Sequence, residues 1–154
     1  METRPSGSPK TAARAPRRSW IQEEHEEIAY HIRTLERLIT APDRLADKAW
    51  AADLVSWFRV AAPRIEHHLR HEESRSFYRG FDEKFPRFVH RLEHLLAEHR
   101  TMIEMLRRGR AAVESPKPQL LLDLTGLIAL ARKHEREENE IVADAVLDDL
   151  GTGD

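Results

Sequence analysis

Apolar residues recur at offsets of three and four in four long segments of the chain, and no segment alternates strictly between apolar and polar positions. That period is the mark of one buried helix face, so the pattern predicts four helices and no strand. The first runs from about Trp20 to Thr40, ending before Ala41-Pro42-Asp43. The second begins near Asp43, a residue type suited to an N-cap, and reaches about Phe77. Pro63 inside it predicts a kink or two collinear pieces, and Arg79-Gly80 lies in the following turn. The third starts near Phe85-Pro86 and ends about Ala112. Glu114-Ser115-Pro116-Lys117-Pro118 breaks the pattern, and the fourth helix runs from about Gln119 to Asp149. Four long helices with short connections predict an all-α, up-down-up-down four-helix bundle.

The core-facing stripes follow from the same offsets. They are Ile21, His25, Ile28, Ile32, Leu35 and Ile39 in the first helix, and Leu54, Trp57, Ala61, Ile65, His68 and Glu72 in the second. The third gives Phe88, Leu92, Leu95, His99, Met102 and Leu106, and the fourth Leu120, Leu124, Leu127, Ala131, His134, Glu138, Ile141 and Ala145. Every stripe is apolar except for one histidine and, in the second and fourth helices, a glutamate four residues after it. A buried carboxylate without a partner is expensive and normally neutralises or finds a cation, and no lysine or arginine falls in these stripes at the same level. Four imidazoles and two carboxylates facing one core are satisfied by two divalent or trivalent metal ions. Residues i and i+4 share a face about 6 Å apart along the axis, so a histidine can hold one ion while its glutamate bridges toward the other. Imidazole with carboxylate favours iron, manganese or zinc over calcium or magnesium.

Composition narrows the chemistry further. The chain has no cysteine, which removes disulfides, thiolate zinc sites and iron–sulfur clusters, and it has 9 histidines. Helical phase sorts the other five. His90 and His94 form a solvated pair, with His94 directed away from the core; His67 and His71 flank the second stripe, and His31 sits at the edge of the first. In the dense stretch EHHLRHEE at 66–73, phase against Ile65 keeps His68 and Glu72 as ligands and Glu73 in reserve. Glu66, His67, Arg70 and His71 fall outside the core face.

Two metal-binding patterns are absent. No histidine has a glutamate three residues before it, so the E-x-x-H motif of ferritin-like di-iron bundles is missing, and H-E-x-x-H of zinc proteases is missing too. What remains is H-x-x-x-E on a bundle. EEHEEI around His25, HHLRHEE around His68, AEHRTM around His99 and HEREE around His134 resemble the hemerythrin domain in its HHE cation-binding form, over about residues 20–148. The resemblance implies a four-helix bundle with a non-haem di-iron centre, the two ions (Fe2+/Fe3+) joined by an oxo or hydroxo bridge. It implies the ligands His25, His68, Glu72, His99, His134 and Glu138, with Glu72 and Glu138 as the bridging carboxylates.

The departures from the oxygen-carrying hemerythrins have consequences. Those have a histidine pair four apart on the third helix, whereas Leu95 and Ile103 flank His99 here; where they have aspartate five after the last histidine, this chain has Asn139, and Glu138 takes the role. The aromatic-Pro step after the second helix is replaced by Phe77-Tyr78-Arg79-Gly80. Water, His31, Tyr30, Glu73 or Glu135 are the candidates for the remaining coordination positions. The resemblance implies binding of O2, NO or peroxide, with fewer histidines and more oxygen donors favouring ferric iron and peroxide turnover or sensing over reversible carriage. The expected dry pocket is built from Ile28, Leu92, Leu95, Met102, Leu127 and Ile141. An iron-responsive regulatory module and a metal-free interaction bundle are the competing readings.

The length of 154 residues is that of one domain, and a net charge of −2 gives no field directed at nucleic acid or an anionic membrane. No apolar run approaches the ~20 residues that span a bilayer. Residues 1–19 are basic and rich in Pro and Ser, which predicts a disordered tail; Arg17-Arg18 lacks the apolar stretch of a twin-arginine signal, and a cytoplasmic location is preferred to a mitochondrial one. Residues 149–154 are expected to form a short C-terminal tail. These helix limits leave His25 and His68 about 10 Å from His99 and His134 along the bundle axis at 1.5 Å per residue, unless the third helix projects past the start of the first.

Overall fold

A computed structural model of the chain describes residues 20–41, 47–74 and 81–151. The predicted basic tail, the Asp43 cap, the end of the second helix at Phe77, the Arg79-Gly80 turn and the last residues of the C-terminal tail lie outside that set. Four long helices carry the fold: α1 (Trp20–Thr40), α2 (Lys48–Ser74), α4 (Val89–Ala112) and α5 (Pro118–Gly151), with a one-turn α3 (Phe81–Lys84) and a 3-10 turn at Pro86–Phe88 between α2 and α4. No strand occurs among the described residues, and the all-α bundle stands as expected. No helix among them is long and apolar enough to cross a membrane.

The helix ends have local causes. Ala41 precedes a proline, which disfavours continuing α1. Asp47 immediately precedes α2, and its carboxylate accepts a hydrogen bond from the Ala49 backbone N–H at 2.8 Å. Pro63 sits on the exposed side of a helix that runs on as one element through Ser74. The third helix starts later than the pattern predicts. Phe85 adopts φ −131, ψ 70, and Pro86 opens only a 3-10 turn before α4 begins at Val89. α5 begins on Pro118, whose missing N–H costs nothing at a first helical position.

Cross-helix pairs fix the topology. Trp50 Nε1–H donates to Leu38 O at 2.8 Å and Trp57 Nε1–H to His31 O at 2.9 Å, while Arg64 pairs with Glu27, so α1 and α2 run antiparallel. Arg91 meets Asp144 at 2.7 Å and His134 meets Glu98 at 3.0 Å, so α4 and α5 do the same. At the seam between these two hairpins Gly109 of α4 lies on Phe58 of α2; a Cβ there would fall 2.5 Å from the ring.

The core has two parts. The larger draws on all four long helices, from Leu35 and Leu54 to Leu106 and Leu124. The smaller, Phe88, Leu92, Leu95, Ile141 and Ala145, draws only on α4, α5 and the 3-10 turn, with Phe81 and Phe85 against it. His99 lies between Leu95 and Met102 along α4, so the polar side chains form a layer between the two clusters. The early residues of α4 therefore extend beyond the level at which α1 contributes, which removes the 10 Å mismatch expected from the sequence.

Candidate metal centre

Five of the six predicted ligands, His68, Glu72, His99, His134 and Glu138, are buried, and the sixth, His25, is half-buried. One turn separates His68 from Glu72 on α2 and His134 from Glu138 on α5, which puts each pair on the inner face. Glu24-His25 on α1 and Glu98-His99 on α4 are consecutive and so point about 100° apart. The histidine of each turns inward and the glutamate turns to the seam with the next helix.

The inner atoms fall into two overlapping groups. One donor atom from each of Glu72, His99, His134 and Glu138 lies within 4.8 Å of the rest, and the same holds for His25, His68 and Glu72. Glu72 is common to both. Its Oε1 lies 3.0 Å from His25 Nε2 and 2.9 Å from His68 Nε2, while its Oε2 lies 3.4 Å from His99 Nε2. Glu138 straddles the site in the same sense, with Oε1 3.2 Å from His134 Nε2 and Oε2 3.5 Å from His25 Nε2.

The outer nitrogens of three of these rings each meet a carboxylate. His68 Nδ1 lies 3.0 Å from Glu24 Oε2, His99 Nδ1 3.0 Å from Glu73 Oε1, and His134 Nδ1 3.0 Å from Glu98 Oε2. Glu98 is itself held by Lys133, and Glu24 also accepts from His71 Nδ1 at 2.8 Å. Such partners hold the proton on Nδ1, fix the ring plane and leave the Nε2 lone pair facing inward.

The donor chemistry fits a cation. With Nδ1–H committed outward, the Nε2 atoms of His99 and His134 face each other at 3.0 Å, lone pair against lone pair, and His68 Nε2 faces a carboxylate oxygen in the same way. Among the described residues Glu72 Oε2 is a buried oxygen with no hydrogen-bond partner. Protons or metal ions in the middle resolve these contacts. In the protonated form, burial alone would push His68 down, but Glu72, Glu24 and Glu138 outweigh it and raise its pKa to about 9. His134 is raised against its burial by Glu138 and Glu98. Burial pushes Glu72 up, but the imidazoles of His25 and His68 on Oε1, with His99 near Oε2, hold it well below the usual carboxylate range.

A cavity of about 200 Å³ opens beside this cluster, touching His25, His68, His134 and Glu138, walled by Ile28, Ile32, Ile65, Leu69, Met102 and Ala131, and bordered by Arg33, Arg132 and Glu135. The expected pocket needs correction. Ile28 and Met102 line the cavity, but Leu92, Leu95 and Ile141 belong to the smaller core cluster and Leu127 to the larger one. Helical phase marks all of these as inward, without giving their level along the axis. The reserve ligands also separate. Tyr30 is exposed; His31 is buried with its carbonyl on Trp57 and its ring near Glu27; Glu73 stands behind His99; Glu135 alone borders the cavity.

The hemerythrin HHE cation-binding domain matches residues 17–146 of the chain. The chain belongs to this family. No curated protein and no solved structure matches it. The hemerythrin assignment and the buried His/Glu groups together fit metal binding. Sequence reasoning missed Glu24 and Glu98, and took Glu73 for a spare ligand. The signal available was the repeated Glu-His dipeptide, at 24–25 on α1 and 98–99 on α4.

Proposed function

We propose that this hemerythrin-family protein holds two iron ions and binds O2 or a related small ligand, NO or peroxide, beside them. The observation that carries the reading is the geometry of Glu72, whose two oxygens face different histidine pairs: Oε1 faces His25 and His68, and Oε2 faces the pair His99 and His134 through His99. One carboxylate serving two imidazole pairs suits two cations a few ångströms apart, and Glu138 repeats the arrangement from α5. Imidazole with carboxylate is a donor set that iron accepts readily. When bound, the iron pair supplies electrons and coordination positions for the small ligand.

The rest falls to the chain's own residues. Glu24, Glu73 and Glu98 hold three imidazoles in one tautomer and one orientation. The apolar wall of the cavity keeps bulk water from the ligand while leaving room for a diatomic or peroxide molecule. Glu135 at the border is the titratable group placed to exchange a proton with a ligand there.

The test is iron content and the visible spectrum, with and without O2 and peroxide, of protein expressed with added iron. About two irons per chain with a charge-transfer spectrum, both lost in His68→Ala and Glu138→Ala, is the expected result. Folded protein without iron would overturn it. Rapid O2 evolution from peroxide would make the protein an enzyme, and ligand binding without turnover would make it a carrier or sensor.

A further inference from the structure

A second group of donor atoms lies on the surface, outside the buried cluster. His67 and His71 are one turn apart on α2, with ring centroids 5.6 Å apart, and Glu24 of α1 faces them across the seam. One donor atom from each of the three lies within 4.8 Å of the others. His67 is exposed, and Glu24 and His71 are half-buried, so solvent reaches the group. We propose that Glu24, His67 and His71 form a separate surface site for one divalent transition-metal ion of the zinc, nickel or copper type. Two imidazoles at i, i+4 with one carboxylate supply three ligands of the right chemistry, and water completes the shell.

The opposite side of the bundle offers a built-in control. His94, Glu98 and Glu137 make a group of the same dimensions across α4 and α5. There the position of a cation is already taken: Lys133 pairs with Glu98 and lies 2.9 Å from Glu137 Oε1. At the α1–α2 seam Glu24 meets only imidazoles, His68 and His71, among the described residues. Among the described residues one carboxylate there faces two histidines and no ammonium, which is an arrangement that a metal ion completes.

Because Glu24 also orients His68, an ion on the surface draws on a carboxylate that supports the buried cluster. The site does not depend on what that cluster holds. The test is calorimetric titration of Zn2+ into the full-length protein, carrying whatever metal it retains on purification. Wild type should show a binding event that His67→Ala weakens about tenfold or more, with His71→Ala doing the same, while His90→Ala on the exposed face of α4 leaves it unchanged. His67 is exposed and its replacement leaves the core intact, so a lost event in that variant reports the site rather than the fold. Glu138→Ala, which disables the buried cluster, should keep the event. Unchanged Zn2+ binding in both His67→Ala and His71→Ala overturns the proposal, and so does an event lost in Glu138→Ala or removed by His90→Ala instead.

Discussion

The two hairpins of the bundle, α1–α2 and α4–α5, present the same donor set in the same order and yet are built to different degrees of closure. Each offers a Glu-His step on its first helix and H-x-x-x-E on its second. In each, the glutamate of the step crosses the seam to the Nδ1 of the other helix's histidine. On the α4–α5 side the support is locked: Glu98 is buried and held by Lys133, and His99 is fully buried. On the α1–α2 side it is loose: Glu24 is partly exposed and divided between His68 and His71, and the His25 side chain keeps 18% of its surface. The cavity touches His25, His68, His134 and Glu138, and does not touch His99. Identical donors do not make identical positions; what stands behind each imidazole decides which side is closed and which opens onto the cavity.

The largest effect is expected where the two halves meet. Glu72→Ala removes the carboxylate that both share, and metal per chain, measured by atomic emission, should fall to near zero. The metal-free protein should also lose about 3 kcal/mol in urea unfolding, since His68 is left buried and charged without its main partner. Retention of one ion in this variant would mean that the halves bind independently.

A pH series comes next. In the metal-free protein the folded pKa of His68 is about 9, above the ordinary 6.5. The stabilisation from this group is therefore fully present below pH 6.5 and is lost as pH rises through about 9, at most about 3 kcal/mol. His134 shifts in the same direction and adds to the loss. Metal competes with these protons for Nε2, so metal affinity should rise over the same window. Thermal melts of metal-free and metal-loaded protein from pH 6 to 9.5 should diverge. Parallel curves would rule out proton–metal competition at these nitrogens.

Smaller effects separate the locked side from the loose one. Glu98→Ala should weaken metal retention against a chelator by up to about 100-fold, and Glu24→Ala by only about tenfold, because water can replace a carboxylate that is already partly exposed. Equal losses would mean that the two sides are supported to the same degree. The smallest effect concerns the seam between hairpins. Gly109→Ala forces the Phe58 ring to move, costing about 1–3 kcal/mol by overpacking, partly offset by the better helix propensity of alanine. A net stabilisation would mean that the seam is loosely packed.

Much of this architecture was legible along the chain. The 3.6-residue period places His68, Glu72, His99, His134 and Glu138 on buried faces, and they are buried. It also places Ile28 and Ala131 there, which are only partly covered because they wall the cavity. The period could not assign Glu24, Glu73 or Glu98. Each lies off the stripe and acts through a ring on another helix, and phase within one helix carries no information about its neighbour. His31 and Tyr30 lie outside the donor groups for a related reason: a residue near the edge of a stripe can face a neighbouring helix or solvent as easily as the core.

What the amino-acid sequence determined by itself was the set of donors and the face of each helix on which they stand, because both follow from residue type and a fixed angular step of about 100°. What only the tertiary structure decided was their level and their partners. The projection of α4 and α5 past α1 brings four histidines to one layer. The antiparallel seams then bring Glu24 to His68 and Glu98 to His134, and Lys133 closes one side while leaving the other open. Those depend on the axial offset of one helix against the next, which is set by packing and not by any local pattern.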